Sequence, residues 1–447
     1  MARLRAPADE QRQQEALHGH DDAGGEKDVA GGGGGGGNES NKKARAGLCG
    51  VLRERKVVDL ARAKRRLVEV PYTATLAHTA NALLAARVSA VAVAAPPGHW
   101  IGAGGSMILE SDPATGAVRK HYIGMVNMLD ILAHIAEASD EAEADGEEAV
   151  DLDRRMAVPV SSVIGHSLEG LTLWTLHPNT SVLDCMETFS KGVHRALVPL
   201  ESSADNLVAV ELVESAPGYR MLTQMDVVRF LRAHGAELSG VLSRTVRELR
   251  AVNENVFAVA SDAKVIDAVK AMRAASLTAV PVVDDAAAAA GAETLQDGKG
   301  KKAIETFSAT DLRDCPVARL QPWLGISVTE FKRKVAEYRA NSTPAVPGAD
   351  ATATGTPAVD YAATPAAAVA AGDDEKHQEE EQLLVTCSPE STLGEAIEAA
   401  AARHVHRLWV VDEEGLLVGM VSLTDILRSV REAALGEDRE LHSIVSS

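Results

Sequence analysis

The segment LVGMVSLTDIL, residues 417–427, joins an apolar run to a Ser-x-x-Asp sequence that begins a second apolar pattern. Ser422 stands where the N-cap of a helix belongs, and Asp425 stands three residues later, in the first helical turn. The same junction recurs as Asn127-Met-Leu-Asp130, Thr223-Gln-Met-Asp226 and Ser308-Ala-Thr-Asp311. A junction that occurs four times predicts four copies of one structural unit.

Each junction ends a longer pattern of apolar segments. Every copy begins with a short strand, and the helix that follows has Thr75, Ser181 or Thr392 as its expected N-cap, whereas Lys264 in the third copy is a poor cap. The first strands are predicted at residues 67–70, 171–176, 256–260 and 383–385, and the strands after the helix at 88–94, 193–200, 277–283 and 405–411. The sequence therefore predicts an α+β fold of four β-α-β-β-α repeats.

The composition limits the possible partners and compartments. The 447 residues include 45 basic and 64 acidic side chains, so the net charge is -19. Such a chain is a poor ligand for the phosphate backbone of DNA or RNA. The four cysteines are far apart and fit a reducing compartment, and the sequence contains no apolar run of membrane-spanning length. We expect a soluble protein of the cytoplasm or nucleus, with no nucleic-acid or membrane partner.

Three stretches differ in composition from the repeats. Residues 1–46 include a seven-glycine run, residues 137–148 are mostly acidic, and residues 341–381 are rich in Ala, Thr and Pro. Such compositions bury too little apolar surface to form a core, which predicts a disordered tail and two solvated linkers.

The ordered pattern, with [ST]-x-x-D opening the last helix, resembles the cystathionine-β-synthase-type (CBS) repeat. The resemblance implies two tandem CBS pairs in a disc-like arrangement. The repeats are placed at residues 48–136, 161–236, 237–316 and 383–435, with linkers at 137–160 and 317–382 and a C-terminal tail at 436–447.

In CBS pairs the clefts between repeats can hold a nucleotide, and the resemblance implies roles for the junction residues. A hydroxyl at a helix N-terminus suits a phosphate, because unpaired backbone N–H groups and the helix dipole lie there. This role falls to Thr223, Ser308 and Ser422. An acid three residues later would accept hydrogen bonds from ribose hydroxyls, a role that falls to Asp130, Asp226, Asp311 and Asp425. The alternative interpretation is that each pair only caps a helix.

A second motif occurs in two of the copies. Val193-His194-Arg195 and Val405-His406-Arg407 stand at matching points of the strand after the helix. This motif resembles the γ subunit of AMP-activated protein kinase and its sucrose-nonfermenting relatives, with the plant γ-like group as the best match. The resemblance implies that these His-Arg pairs point toward phosphates at the centre of the disc, a role that suits both side chains. The alternative interpretation is a pair of charges at a strand edge.

The other two copies depart from this motif. The first has Ser89-Ala90 and the third has Thr278-Ala279 at the same point, and Asn127 replaces a Ser or Thr at its junction. We therefore expect the first site to bind weakly or not at all. The hairpin at residues 96–121 and the insertion at 284–302 are longer than is typical of the family.

The resemblance implies a regulatory protein and no enzyme. It would bind AMP, ADP or ATP as a ligand and associate with the catalytic (α) and β-type subunits of a protein kinase. The His-Arg motifs lack the Asp of a kinase catalytic loop, and His404 and His406 have no further metal ligands nearby in the sequence, so no metal is expected. The alternative function is an interaction scaffold with degenerate nucleotide sites.

Overall fold

The structure is a computed structural model, and it describes residues 48–95, 121–145, 152–164, 173–200, 218–284, 294–313, 315–342 and 384–445. Several predicted features therefore lie outside the described residues. These are the glycine-rich tail at 1–46, nearly all of the hairpin at 96–121, half of the insertion at 284–302 and the Ala/Thr/Pro segment from 343 onward. Within the described ranges, no helix is both long enough and apolar enough to cross a membrane.

The first repeat follows two short helices, α1 (Leu48–Glu54) and α2 (Val57–Ala61). In its sheet, β2 runs parallel to β1 and antiparallel to β3. The repeat consists of β1 (Glu69–Pro71), α3 (Leu76–Ala86), β2 (Ala90–Ala95), β3 (His121–Asn127) and α4 (Met128–Asp145). The first part of the predicted acidic linker thus continues helix α4.

A short helix, α5 (Leu152–Met156), and a 3₁₀ turn at Val160–Ser162 lead to the second repeat. The order and pairing of its strands repeat those of the first sheet. The repeat consists of β4 (Trp174–Thr175), α6 (Val182–Ser190), β5 (Arg195–Leu200), β6 (Gly218–Thr223) and α7 (Gln224–Ala233).

The third repeat follows helix α8 (Ser239–Leu242), and its sheet gains a fourth strand at one edge, in the order β10-β8-β7-β9. It consists of β7 (Phe257–Ala260), α9 (Val265–Ala274), β8 (Ala279–Val283), β9 (Gln296–Asp297) and β10 (Ala303–Ser308). After it come α10 (Val317–Leu320), a 3₁₀ turn at Gln321–Trp323 and α11 (Val328–Ser342), in the interval assigned to a linker.

The fourth repeat consists of β11 (Thr386–Cys387), α12 (Leu393–Ala402), β12 (Arg407–Val411), β13 (Leu417–Ser422) and α13 (Leu423–Val445). Its sheet has the same parallel and antiparallel pairing as the sheets of the first two repeats. Helix α13 extends beyond the predicted end of the repeat at residue 435, so most of the segment predicted as a C-terminal tail is helical.

The predicted N-caps of the first helices are confirmed. The side chains of Thr75, Ser181 and Thr392 each accept a backbone N–H from the third helical residue, and Lys264 makes no such bond. Each of these helices is followed by one residue with positive φ, which is Arg87, Gly192, Ser276 or His404. The turn from helix to strand is therefore the same in all four copies.

The third copy differs from the prediction at its last helix. Residues 309–313, after Ser308, form turns where the other junctions begin a helix. Pro316 explains the difference, because a proline disfavours helical geometry in the residue before it and leaves too few residues for a stable helix. Ser308 is consequently not a helix N-cap.

The repeats pack in a cycle in which each contacts two others. One large core joins the helices of the second and fourth repeats and includes α1 and α2, and another joins the first and third repeats and includes α11. A smaller cluster around Trp409 joins the sheets of the third and fourth repeats. Tyr122 contacts Tyr219 edge to face, with ring centroids 5.5 Å apart, between the sheets of the first and second repeats. We call the two large cores, with their repeats, the 2·4 half and the 1·3 half.

Candidate functional site

A central cavity of about 770 Å³ is lined by side chains from all four repeats. The same part of each repeat reaches it, namely the start of the strand after the first helix and the end of the strand before the junction. The pairing of these two strands explains why. Arg195 lies opposite Thr223, and Arg407 lies opposite Ser422, in the antiparallel registers. Each predicted arginine is therefore placed beside the predicted hydroxyl of its own repeat.

The two His-Arg pairs both line this cavity. Burial is the main cause that lowers the pKa of His406, and the positive charges of Arg195 and Arg407 lower it further. Burial followed by Arg407 lowers the pKa of His194. The pairs come from repeats two and four, more than two hundred residues apart in sequence, yet each influences the other. Both pairs thus line the cavity that all four repeats share, and their role toward phosphates stays a prediction.

The two arginines are held by the copies that lack the His-Arg pair. Arg407 donates to the Ala279 carbonyl oxygen at 2.7 Å and to Thr278 Oγ1 at 2.6 Å. Arg195 donates to Ser89 Oγ at 3.1 Å. The residues that depart from the motif in copies one and three are thus acceptors for the arginines of copies two and four.

Burial also lowers the pKa of both guanidinium groups to about 10, against the opposing effects of Asp130 on Arg195 and of Asp425 on Arg407. A cavity in which arginines lower the pKa of neighbouring histidines is a site where an anion would be stabilised. Lys64, Arg229 and Arg313 also line the central cavity, and sequence reasoning missed them because no motif contains them.

The junction hydroxyls and acids form capping interactions in the structure. Asp226 Oδ2 accepts from the Thr223 backbone N–H and hydroxyl, both at 2.8 Å. Asp425 Oδ2 accepts from the Ser422 backbone N–H at 3.0 Å and from its hydroxyl at 2.5 Å. These pairs therefore form the bonds of a helix cap, and a ligand would have to share or replace the hydroxyl bonds.

Asn127 makes the same kind of junction as Ser and Thr. Its Oδ1 accepts from the Asp130 backbone N–H at 3.1 Å, and its own N–H donates to Asp130 Oδ2 at 3.0 Å. Asparagine is as good an N-cap as serine. The substitution thus preserves the first junction as a structure, whatever its effect on a ligand.

In three copies, the second oxygen of the junction acid already has a cationic partner. Asp226 Oδ1 accepts from Lys64 at 2.7 Å, Asp311 Oδ1 from Lys332 at 3.0 Å, and Asp425 Oδ1 from Arg428 at 2.5 Å. Each carboxylate oxygen has two lone pairs, so a ribose hydroxyl would either share an oxygen with the cation or displace it. The predicted ribose role of these acids is therefore linked to the freedom of each cation.

The first acid lies on a second, smaller cavity of about 420 Å³, which we call the side cavity. Its lining includes Asp130, the exposed indole of Trp174, Lys191 and the His194-Arg195 pair. An aromatic surface, an acid and cations around one cavity are the groups that a nucleotide needs for its base, ribose and phosphate. The first junction was expected to bind a nucleotide weakly. Its acid nevertheless lies on a cavity that also has an aromatic surface and cations, although Asn127 lacks a hydroxyl.

The predicted site residues divide among three places. His194 and Arg195 line both cavities, Asp130 lines the side cavity, and Asp226 and Asp425 line neither of the two. The central cavity is lined by His194, Arg195, Thr223, Ser308, Asp311, His406, Arg407 and Ser422.

The fold and the site define a protein built from CBS repeats. A model of the CBS domain family matches residues 246–288 and 384–432, within the third and fourth repeats. Two proteins of Arabidopsis thaliana are similar along most of the chain. "SNF1-related protein kinase regulatory subunit gamma-like PV42a" is 50% identical over 83% of this chain and 94% of its own length. The corresponding PV42b protein is 46% identical over 85% and 95%. The chain belongs to this family of regulatory subunit gamma-like proteins.

Protein MJ1225 from Methanocaldococcus jannaschii is among the solved structures that are similar to this chain. It is 13% identical, with a TM-score of 0.49, and the alignment covers 84% of this chain and 99% of that one.

Proposed function

We propose that this protein is a γ-type regulatory subunit of a SNF1-related Ser/Thr protein kinase and binds adenine nucleotides between its CBS repeats. The observation that carries the proposal is the meeting of His194, Arg195, His406 and Arg407 around one cavity in a chain of net charge -19. Each arginine is half-buried beside the cavity, where water screens its charge only partly and an added anion is stabilised. A phosphate group is a fitting anion, because guanidinium groups bind it through paired hydrogen bonds.

The hydrogen bonds of the two arginines suggest how a ligand could change the protein. Arg407 connects the fourth repeat to Thr278 and Ala279 of the third, and Arg195 connects the second repeat to Ser89 of the first. A phosphate that accepts hydrogen bonds from these arginines competes with Thr278, Ala279 and Ser89 for the same N–H groups. Both connections between tandem repeats would then change. Regulation then follows if a kinase partner binds one of the two arrangements more tightly, since equal affinity would shift nothing.

The proposal is tested by calorimetric titration of AMP, ADP and ATP into the full-length protein. We expect at least one of them to bind, and the double variant Arg195→Ala, Arg407→Ala to lose binding. The matched control is Arg247→Ala, because Arg247 forms an exposed ion pair with Glu390 and lines neither of the two cavities. Absence of heat from the wild type at millimolar nucleotide would exclude the sensing function.

Kinase association is a separate measurement. Purified α and β-type subunits of a SNF1-related kinase should be recovered with the wild-type protein in a pull-down, and nucleotide should change the recovered amount. The ion pairs on three junction acids favour a second candidate, an interaction scaffold with degenerate sites. Equal recovery of the kinase with the wild type and with the double arginine variant, with and without nucleotide, would support the scaffold.

A further inference from the structure

Lys332 of helix α11 lies against the junction acid of the third repeat. Its ammonium group donates to Asp311 Oδ1 at 3.0 Å and to the Thr306 carbonyl oxygen at 2.6 Å. The other oxygen of Asp311 accepts from the Ser308 backbone N–H at 2.8 Å. Both oxygens that would face the hydroxyls of a ribose are therefore engaged by the protein itself.

This ion pair is closed to solvent, unlike the corresponding pairs of the second and fourth junctions. The side chains of Lys332 and Asp311 are 6% and 9% exposed. By contrast, Lys64 is 33% exposed beside Asp226, and Arg428 is 42% exposed beside Asp425. An exposed cation can turn into water when a ligand arrives, whereas a buried ammonium group that leaves its partner has no solvent to receive it.

Helix α11 holds Lys332 in this position from two sides. Phe331, the preceding residue, is fully buried and contacts Phe307 edge to face, with ring centroids 5.9 Å apart. Farther along the helix, Arg339 donates to the Thr310 carbonyl oxygen at 2.9 Å. The turn that contains Asp311 is thus connected to the helix that carries Lys332 by hydrogen bonds from both Lys332 and Arg339.

The missing helix of the third repeat leaves room for this arrangement. In the other copies, a helix begins directly after the junction, but residues 309–313 form turns. Helix α11 packs in the core beside α9 in the same half of the molecule. Glu305 lies close to the ion pair as well. Burial is the main cause that raises the pKa of Glu305. The charge of Lys332 lowers this pKa, and the charge of Asp311 raises it. Lys332 therefore interacts with two carboxyl groups.

We propose that Lys332 is a built-in occupant of the third cleft, by which we mean the part of the central cavity beside Asp311, and that by holding Asp311 it prevents this part from taking a nucleotide. The inference rests on the proposed function, because it concerns which of its clefts are available. It implies that the number of nucleotides bound by the chain is smaller than the number of its junction acids. A purely structural ion pair would have no influence on that number.

The test is the number of AMP molecules bound per chain, measured by calorimetry on full-length protein. Lys332→Met keeps the length of the side chain and removes the charge, and we expect it to bind one more AMP than the wild type. Lys334→Met is the matched control, because Lys334 lies on the same helix, is 32% exposed and pairs with Glu330. It should leave the number unchanged. The double variant Lys332→Met, Asp311→Asn should gain nothing, since it lacks the carboxylate.

Two results would overturn the proposal and leave the proposed function intact. One is a folded Lys332→Met protein, checked by circular dichroism, that binds the same number of AMP molecules as the wild type. The other is a loss of one bound AMP on Asp311→Asn substitution in the wild type, which would show that the cleft was open. If neither the wild type nor Lys332→Met binds AMP, the proposed function fails and this inference fails with it. If only the variant binds, the inference stands and the proposed function fails.

A measurement on the wild type alone covers the case in which Lys332→Met does not fold. Amine-modifying reagent followed by peptide mapping should label Lys332 roughly tenfold or more slowly than Lys334, because labelling requires local opening. Saturating AMP should leave the labelling rate of Lys332 unchanged. Equal labelling rates for the two lysines, or protection of Lys332 that appears only with AMP, would contradict the proposal that Lys332 closes the cleft.

Discussion

The 2·4 half and the 1·3 half of the molecule are built from the same repeat but have different chemistry. The 2·4 half has complete helices after both junctions and carries both His-Arg pairs. The 1·3 half replaces those pairs with Ser89 and with Thr278-Ala279, which accept hydrogen bonds from the arginines of the other half. The copies have therefore become specialised, because one half supplies the His-Arg pairs and the other half orients their arginines.

The cations beside the junction acids differ in the same way. In the 2·4 half, the partners of Asp226 and Asp425 are partly exposed, whereas in the 1·3 half the partner of Asp311 is buried. The exposed pairs leave their acids available to a ligand at little cost, because surface ion pairs contribute little free energy. Matched substitutions in the two halves therefore test this contrast.

The largest expected effect concerns the free energy of unfolding when one lysine is removed from each half. Lys332→Met leaves the Asp311 carboxylate buried without its cation, and we expect a loss of about 3–5 kcal/mol. Lys64→Met removes the more exposed partner of Asp226, and we expect a loss of about 0–1 kcal/mol. Urea unfolding of both variants measures the difference. Equal losses would mean that the two ion pairs are equally accessible to water.

The second effect concerns nucleotide affinity. Arg407→Ala removes charge-assisted hydrogen bonds, worth about 2 kcal/mol, and should weaken the nucleotide that binds most tightly to the wild type by roughly 30-fold. Thr278→Ala removes only an acceptor that orients Arg407, so the loss should be about threefold or less. Calorimetric titration provides both values. A loss on Thr278→Ala as large as that on Arg407→Ala would contradict the division of charge and orientation between the halves.

The third effect compares two serines at matching junctions. Ser422 caps helix α13, so Ser422→Ala should lower the free energy of unfolding by about 1 kcal/mol. Ser308 precedes a turn, and Ser308→Ala should cost about 0.5 kcal/mol or less, because no helix depends on it. Thermal unfolding of the two variants under identical conditions makes the comparison. Similar losses would indicate that the Ser308 turn is as dependent on its hydroxyl as a helix.

The smallest effect is a pH dependence that belongs to the 2·4 half. The pKa of His406 is lowered in the folded protein, first by burial and then by Arg195 and Arg407. Below about pH 6.5, the unfolded chain takes up a proton that the folded protein does not, so this contribution to stability is present above that pH and lost as the pH falls. The decrease in the urea midpoint from pH 7.5 to pH 5.5 should be smaller for His406→Asn than for the wild type. Substitution of His78, which lines neither of the two cavities, by Asn is the control, and an unchanged decrease for His406→Asn would contradict the prediction.

The fold could be predicted because its determinants are local. N-caps, apolar periodicity and the fourfold junction are all visible in the chain, and Thr75, Ser181 and Thr392 act as predicted. The missing third helix has a local signal too, in Pro316, but the recurrence of the junction favours a helix there. Helix α11 also has a local signal, the helical spacing of the buried residues Val328, Phe331 and Val335. The segment was assigned to a linker because it adjoins low-complexity sequence.

The candidate site could be predicted only in part. The His-Arg pairs are recognisable as a motif, and the strand register that places Arg195 beside Thr223 follows from the repeat. No motif contains Lys64, Lys332 or Trp174, because each belongs to a site by packing against another segment. The roles of Ser89 and Thr278 are likewise hidden in the sequence, since both are departures from the motif and become acceptors only when the repeats meet.

The sequence by itself determined the repeat, its strands and helices, and the type of charge at each junction, because these depend on residues within a few positions of one another. The tertiary structure alone decided which repeats share a core, which arginine finds which acceptor, and which acid is closed by a buried lysine. Those outcomes depend on contacts between residues that are far apart in sequence, such as Arg407 and Thr278, which are 129 positions apart. A sequence pattern records what each residue can do, and only packing decides what each residue meets.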